Sequence, residues 1–244
     1  MFVKRLFVTP INRRYFVYIS LVLLCVITGC KERTTNTSET VNIPTEDYQT
    51  DTIDSSFNDV DRMQYNIGRT IWQKPDVVIN QMGDLSQKTI ADIGAGTGYF
   101  SFRMGIKAKK VIAIDIDKAV LDTINQFIPL LPEKFRQKIE TRLAKTDDPM
   151  LLPEEVDLVV IINTVTYIPD LDNYLQILRK GLKKGGEIMI VDYKMKRLPI
   201  NAPPRDQRMY LDVLEDKLEK NGFTLDYSDD TSLDYQFILK AINK

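Results

Sequence analysis

An open α/β sheet, its strands mostly parallel and covered by helices, is the fold class this sequence predicts. Three observations predict it. From Thr89 onward, short β-rich apolar runs alternate with amphipathic stretches, the pattern of strand–helix–strand units. The run "VDLVVII" (156–162) is apolar at nearly every position, as a strand covered on both faces must be. The run "TIADI" (89–93) passes directly into a glycine-rich turn that opens a helix, "GAGTGYF". In such a sheet, ligands bind beyond the carboxyl ends of the strands, at the point where the strand order reverses.

The elements follow in order. Pro75 suits the first turn of a helix running through Met82. Strands are predicted at 89–93, "VIAID" (111–115), "IETRL" (139–143), 156–162, "EIMIVD" (187–192) and "YQFILKA" (235–241). Helices are predicted between them at 99–107, 117–127, 170–183 and 206–221. "LKKGGE" (182–187) reads as a helix stop with a glycine turn feeding the next strand, and "EKNGF" (219–223) repeats that logic.

At 244 residues and 43% apolar, the chain can bury one sizeable core. Histidine is absent, which removes imidazole bases, Ser-His-Asp and Cys-His catalysis and histidine-ligated zinc. Both cysteines, Cys25 and Cys30, precede the predicted domain, so no thiolate metal cluster is expected within it. A formal charge of −1 gives no general attraction to nucleic acid.

The N-terminus reads as an address. Lys4, Arg5, Arg13 and Arg14 precede the apolar run "YFVYISLVLLCVI" (15–27), which is short of the ~20 residues a transmembrane helix needs. "ITGC" then resembles a bacterial lipobox, which implies cleavage after residue 29, lipidation of Cys30 and anchoring in the cell envelope. Removing residues 1–29 takes 33 Lys+Arg to 29 against 34 Asp+Glu, a net of −5. Such a body is held by acyl chains rather than by a general attraction to an anionic surface. Residues 30–57, rich in Thr, Ser, Asp and Asn, are expected to form a disordered tether, and 58–244 the folded domain.

The glycine loop carries the functional signal. Gly94 permits a sharp turn, Gly96 a close approach of backbone to ligand, and Gly98 the packing of the helix start. The third glycine of a dinucleotide fingerprint would fall at Tyr99, and the lysine of a phosphate loop is missing. Asp92 before the loop suits a ligand with a positive group better than a pyrophosphate. Asp115 ends the second strand 21 residues after Gly94, where a carboxylate can accept from both ribose hydroxyls of an adenosine.

These residues carry a resemblance. "ADIGAGTGYF", "VIAIDID", "TDDPMLLPEEVDLVVIINTVTYI" and "LKKGGEIMIVDY", in that order, are similar to a class I S-adenosylmethionine-dependent methyltransferase. "RTIWQKPDVVI" (69–79) resembles a bacterial small-molecule branch, and the likeness covers about 66–244. It implies a Rossmann-like methyltransferase fold, a mostly parallel seven-stranded sheet with helices on both faces and the last strand antiparallel. It further implies S-adenosylmethionine as cofactor and a small-molecule acceptor. By this resemblance Asp92, Gly94, Ala95, Gly96 and Gly98 cradle the methionine half, Asp115 holds the ribose and Ile116 covers the adenine. Asp147 or Asp148 meets the adenine amino group, and Asn163 sits beside the sulfonium. Trp72 and Tyr65 lie on a segment that in relatives folds over the cofactor.

Where relatives carry histidines, this chain reads "VTYIPD" and "PPRDQRMY", with Tyr167 and Gln207 near those places. Tyr167 and Asp192 are the candidate catalytic groups, and Tyr193 and Arg208 join them as candidates for the acceptor pocket. S-adenosylmethionine is made in the cytoplasm, so the alternative to export is an uncleaved anchor on the cytoplasmic side of the inner membrane. The alternative to catalysis is an envelope lipoprotein that uses the fold to bind an adenosine-like ligand.

Overall fold

The computed structural model describes Asn66 and Gly68–Lys244. The predicted signal and tether, with Cys30 and Tyr65, lie outside the described residues.

Seven strands form one sheet, in the order β3-β2-β1-β4-β5-β7-β6. They are β1 (Thr89–Ile93), β2 (Lys110–Asp115), β3 (Ile139–Leu143), β4 (Val156–Ile162), β5 (Leu182–Tyr193), β6 (Phe223–Asp229) and β7 (Gln236–Asn243). The first five pair in parallel, and β7 runs antiparallel to both β5 and β6. The helices are α1 (Arg69–Gln73), α2 (Pro75–Asn80), α3 (Tyr99–Lys107), α4 (Lys118–Phe127), α5 (Glu133–Arg136), α6 (Leu171–Gly181) and α7 (Leu211–Lys220). The predicted fold class is therefore the observed one.

Strand alternation divides the core into two layers. Ile90, Val160, Val191 and Ile238 face one side, against Val78 of α2, Phe102 of α3 and Leu121 of α4. Ala91, Ile161, Ile190 and Leu239 face the other, against Leu175 of α6 and Leu214 of α7. β4 is buried along almost its whole length because helices cover both of its faces. Asp117 caps α4 by accepting from the Ala119 amide, and Asp170 caps α6 by accepting from Asn173.

The structure corrects several boundaries. β6 is absent from the sequence reading: it is an edge strand whose burial is uneven, with Asp226 and Ser228 in an exposed half. β5 begins at Leu182 rather than Glu187, because Val156 pairs with Leu182 and Leu158 already with Glu187. The glycine turn lies inside that interval, as a four-residue bulge. The helix expected over 206–221 is a 3-10 turn at Arg205–Gln207 followed by α7, and α6 stops at Gly181. The short helices α1 and α5 were not legible, since one turn carries no period.

Candidate functional site

The strand order reverses between β1 and β4, and the glycine loop leaves β1 at that point. The amides of Gly94 and Ala95 both donate to the Ile114 carbonyl, at 2.8 and 3.0 Å, which fastens the turn to β2. Gly96 has φ +53°, and a side chain there would meet nothing within 4 Å. Its amide donates to Asp115 Oδ2 at 2.9 Å, while Asp115 Oδ1 accepts from the Asp117 amide at 3.0 Å. Gly94 and Gly98 are bare for other reasons. A Cβ on Gly94 would collide with the Thr164 side chain, and one on Gly98 would lie 2.7 Å from the Phe102 ring. Of the three glycines, Gly96 alone opens onto free space.

Beside the loop is a cleft of about 190 Å³. Ile93, Ile114 and Ile116 give it apolar walls, and Asp115, Thr146 and Thr164 supply polar groups. An apolar slot with one carboxylate at its edge has the chemistry of a nucleoside site. Asp147 and Asp148 are not among the residues lining it; Lys145 and Thr146 are. Asp148 Oδ1 instead accepts from the Met150 amide at 2.7 Å, inside its own turn.

On the far side of the loop lies a buried polar network. Asp92 accepts from Ser101 Oγ, and burial raises its carboxyl to about 6. The Arg69 guanidinium lies over the Tyr99 ring, 4.2 Å from its centroid, and its charge partly offsets that rise at Asp92. Arg69 also donates to Gln73 Oε1 at 2.8 Å and to Asn66 Oδ1 at 3.0 Å. Asn66 in turn donates to Thr97 Oγ1 in the glycine loop at 3.0 Å. Asn163, in the left-handed region at φ +59°, receives amide donors from both Gln73 and Gln236. One short helix thus ties the glycine loop to the end of β4.

Asp192 is buried at the end of β5, where Oδ1 accepts from the Tyr193 amide at 2.7 Å and Oδ2 has no partner. Burial raises its carboxyl to about 6, opposed first by the backbone amides of Tyr193 and Val165 and last by the Arg208 charge. Trp72 stacks on Tyr193 with ring centroids 6.0 Å apart, and burial pushes the Tyr193 phenol up to about 12. Tyr167 lines the rim of the cleft and is largely exposed. Arg208 is spent on the carbonyls of Pro203, Lys194 and Lys196. Arg69, Gln73, Asn66, Thr164 and Gln236 escaped the sequence reading. The one available signal was the cluster of amide and guanidinium groups in "NIGRTIWQKP".

A family model described as a methyltransferase domain matches residues 84–231, more than half of the chain. The chain belongs to the methyltransferase-domain family. The domain is similar to a solved S-adenosylmethionine-dependent methyltransferase from Aquifex aeolicus, with TM-score 0.68 and 19% identity. That likeness covers 78% of this chain and 98% of the other, and it shows the fold. A ubiquinone biosynthesis O-methyltransferase of Pseudomonas syringae pv. tomato is 25% identical over 112 residues, 45% of this chain and 46% of that protein. A tRNA U34 carboxymethyltransferase of Helicobacter hepaticus is 30% identical over 118 residues, 44% of this chain and 35% of that protein. The methyltransferase domain spans under half the length of these curated relatives. S-adenosylmethionine is therefore the cofactor whose fit to the site matters.

Proposed function

We propose that this chain transfers the methyl group of S-adenosylmethionine to a small-molecule acceptor, from a lipid tether on Cys30 in a bacterial membrane. The observation that carries the methyl-transfer reading is the pairing of Gly96, bare toward open space, with the Asp115 carboxylate at the edge of an apolar cleft. The residues present fit the cofactor. Asp115 would accept from the ribose hydroxyls, with Ile114 and Ile116 against the adenine. The amino-acid end carries an ammonium and a carboxylate, for which the buried Asp92 and Arg69 are the complementary charges.

When bound, the cofactor supplies an electrophilic methyl group on its sulfonium. The chain's own work is to position the acceptor, exclude water and receive a proton where the acceptor must lose one. Asp192, buried at the end of β5 with a carboxyl near 6 that is ionised at neutral pH, is the candidate for that proton, and the Tyr167 hydroxyl on the cleft rim is a hydrogen-bonding group for the acceptor. The net −5 of the chain from Cys30 onward favours a small acceptor over a polyanion such as tRNA.

Calorimetric titration with S-adenosylhomocysteine tests the cofactor half of this reading. Binding in the micromolar range is expected, and Asp115→Asn should weaken it by about 1–3 kcal/mol through loss of charge-assisted hydrogen bonds. No heat from the unmodified chain refutes the reading. Transfer of labelled methyl groups to a component of an envelope extract separates the enzyme from a non-catalytic adenosine-binding module.

A further inference from the structure

We propose that the methyl acceptor is a neutral aromatic ring bearing a hydroxyl group, held in a pocket between the β5–α7 connection, the start of α7 and β7. The inference deepens the methyl-transfer reading above and rests on it.

The pocket has a volume of about 490 Å³, ample for a small ligand. Its body is apolar. The buried Phe237 contributes the floor, and Met195, Met209, Tyr210 and Leu211 the walls. Aromatic and thioether walls favour a flat ring, because ring edges and sulfur gain from a π-system beyond the area they bury.

Charge argues for a neutral occupant. Lys194 and Lys196 stand on the rim with Asp212, Glu215 and Asp230. Two of these five are already engaged: Lys194 Nζ donates to the Leu233 carbonyl, and Glu215 accepts from Ser228 Oγ. Both signs are interspersed, so neither a carboxylate nor an ammonium meets a field of one opposite sign.

The hydroxyl is called for by an unpaired atom beside the floor. Asp192 pairs directly with Phe237 across β5 and β7. By strand alternation both side chains stand on the face of Ile190 and Leu239, the face covered by α6 and α7. Residues opposed in this way have Cα atoms about 4.5–5.5 Å apart. Asp192 is 3% exposed, and its Oδ2 has no partner. An O–H from a molecule in the adjoining pocket satisfies that oxygen, which is otherwise costly to bury. A ligand ammonium fits less well, since the Arg208 charge already acts on this carboxylate.

Asp192 also connects the pocket to the cofactor cleft. The Val165 amide acts on it from the turn Val165–Tyr167, and Tyr167 lines that cleft. The carboxylate thus stands between the two cavities. It lies behind the pocket wall, and the hydroxyl reaches it as the flexible Met195 and Met209 side chains give way.

Fluorine NMR of small probes tests the pocket on the full chain in detergent micelles, with empty micelles as blank. The cofactor cleft is first saturated with S-adenosylhomocysteine, and calorimetry with that ligand reports the cofactor reading separately. 4-Fluorophenol should bind with a Kd near or below about 1 mM. 4-Fluoroanisole, with its hydroxyl capped, should bind about tenfold more weakly, and 4-fluorobenzoate and 4-fluorobenzylamine no better than the anisole. Met209→Glu should weaken the phenol about fivefold or more, while Met209→Leu keeps it. Tyr210→Ala, an exposed change, should weaken it about twofold. Asp192→Asn should bring phenol and anisole within about threefold of each other. Bound S-adenosylhomocysteine with no preference for the phenol overturns the assignment and leaves the methyl-transfer reading standing. A preference untouched by Asp192→Asn, or phenol binding untouched by Met209→Glu and Tyr210→Ala, overturns it too, because the ring then sits elsewhere. A chain that binds no S-adenosylhomocysteine refutes the methyl-transfer reading, and the acceptor assignment with it. Should Met209→Glu lose both ligands through misfolding, Tyr210→Ala and Asp192→Asn decide the matter.

Discussion

At the scale of the residue, the three glycines of one loop do three different things. All have positive φ, so each avoids the cost of about 1–2 kcal/mol that a Cβ brings to the left-handed region. Beyond that shared cost they differ. Gly94 is bare because Thr164 leans on it, and Gly96 is bare toward open space beside Asp115. The two alanine variants should therefore separate. Gly96→Ala should lose only about 1–2 kcal/mol in urea unfolding, yet largely abolish S-adenosylhomocysteine binding, since its methyl group enters the ligand's space. Gly94→Ala should lose more stability, and Thr164→Ala in the same chain should return part of it. Equal stability losses, with no recovery by Thr164→Ala, would contradict the geometry.

At the scale of the element, caps are the parts most simply tested. Asp170 precedes α6 and accepts from the Asn173 amide at 3.2 Å, so Asp170→Ala should cost about 1 kcal/mol. In a chain of this size that is a fall of roughly 2–4 °C in Tm by calorimetry, and no change would mean that α6 is held by packing alone. The same scale shows what was legible in the sequence. Strands β1, β2 and β4 and helix α3 were, because parallel strands under two helical layers must be apolar throughout and their helices amphipathic. β3, an edge strand carrying Glu140, Thr141 and Arg142, was placed without that pattern. β6 was not, because an edge strand with one neighbour can carry Asp226, Ser228 and Asp229 without burying them all. The site divides in the same way. Asp92, Gly96 and Asp115 could be placed because a loop and a strand end fix them by spacing. The partners Arg69, Gln73 and Gln236 could not, since they meet Asp92 and Asn163 only after distant segments fold together.

At the scale of the molecule, two buried carboxylates set the response to pH. Asp92 and Asp192 both stand at the carboxyl pole, and burial raises each from an ordinary value near 3.8 to about 6. In the unfolded chain these groups lose their protons near 3.8; in the folded chain they keep them until about pH 6. Their contribution to stability is therefore fully present below the lower value and disappears as pH rises through about 6. Each shift of some two units corresponds to roughly 3 kcal/mol. The ion-paired or amide-bonded carboxylates, Glu140, Glu155, Asp157, Glu187 and Asp229 among them, are lowered and act in the opposite sense. Their contribution is present above the ordinary carboxylate range and lost only below it. The free energy of unfolding in urea should accordingly pass through a maximum near pH 4, between the two windows, and fall both towards pH 3 and on the way up to about pH 6.5. Asp92→Asn and Asp192→Asn should each remove about half of that upper decline. A ligand that brings a cation to Asp92 favours the ionised carboxylate, so S-adenosylhomocysteine should bind more tightly as pH rises through about 6. Asp92→Asn should erase that dependence while Asp192→Asn leaves it. Affinity flat from pH 5 to 7.5 in the unmodified chain would mean that the ligand's ammonium lies elsewhere, and that Asp92 serves only to hold Ser101 and the start of α3.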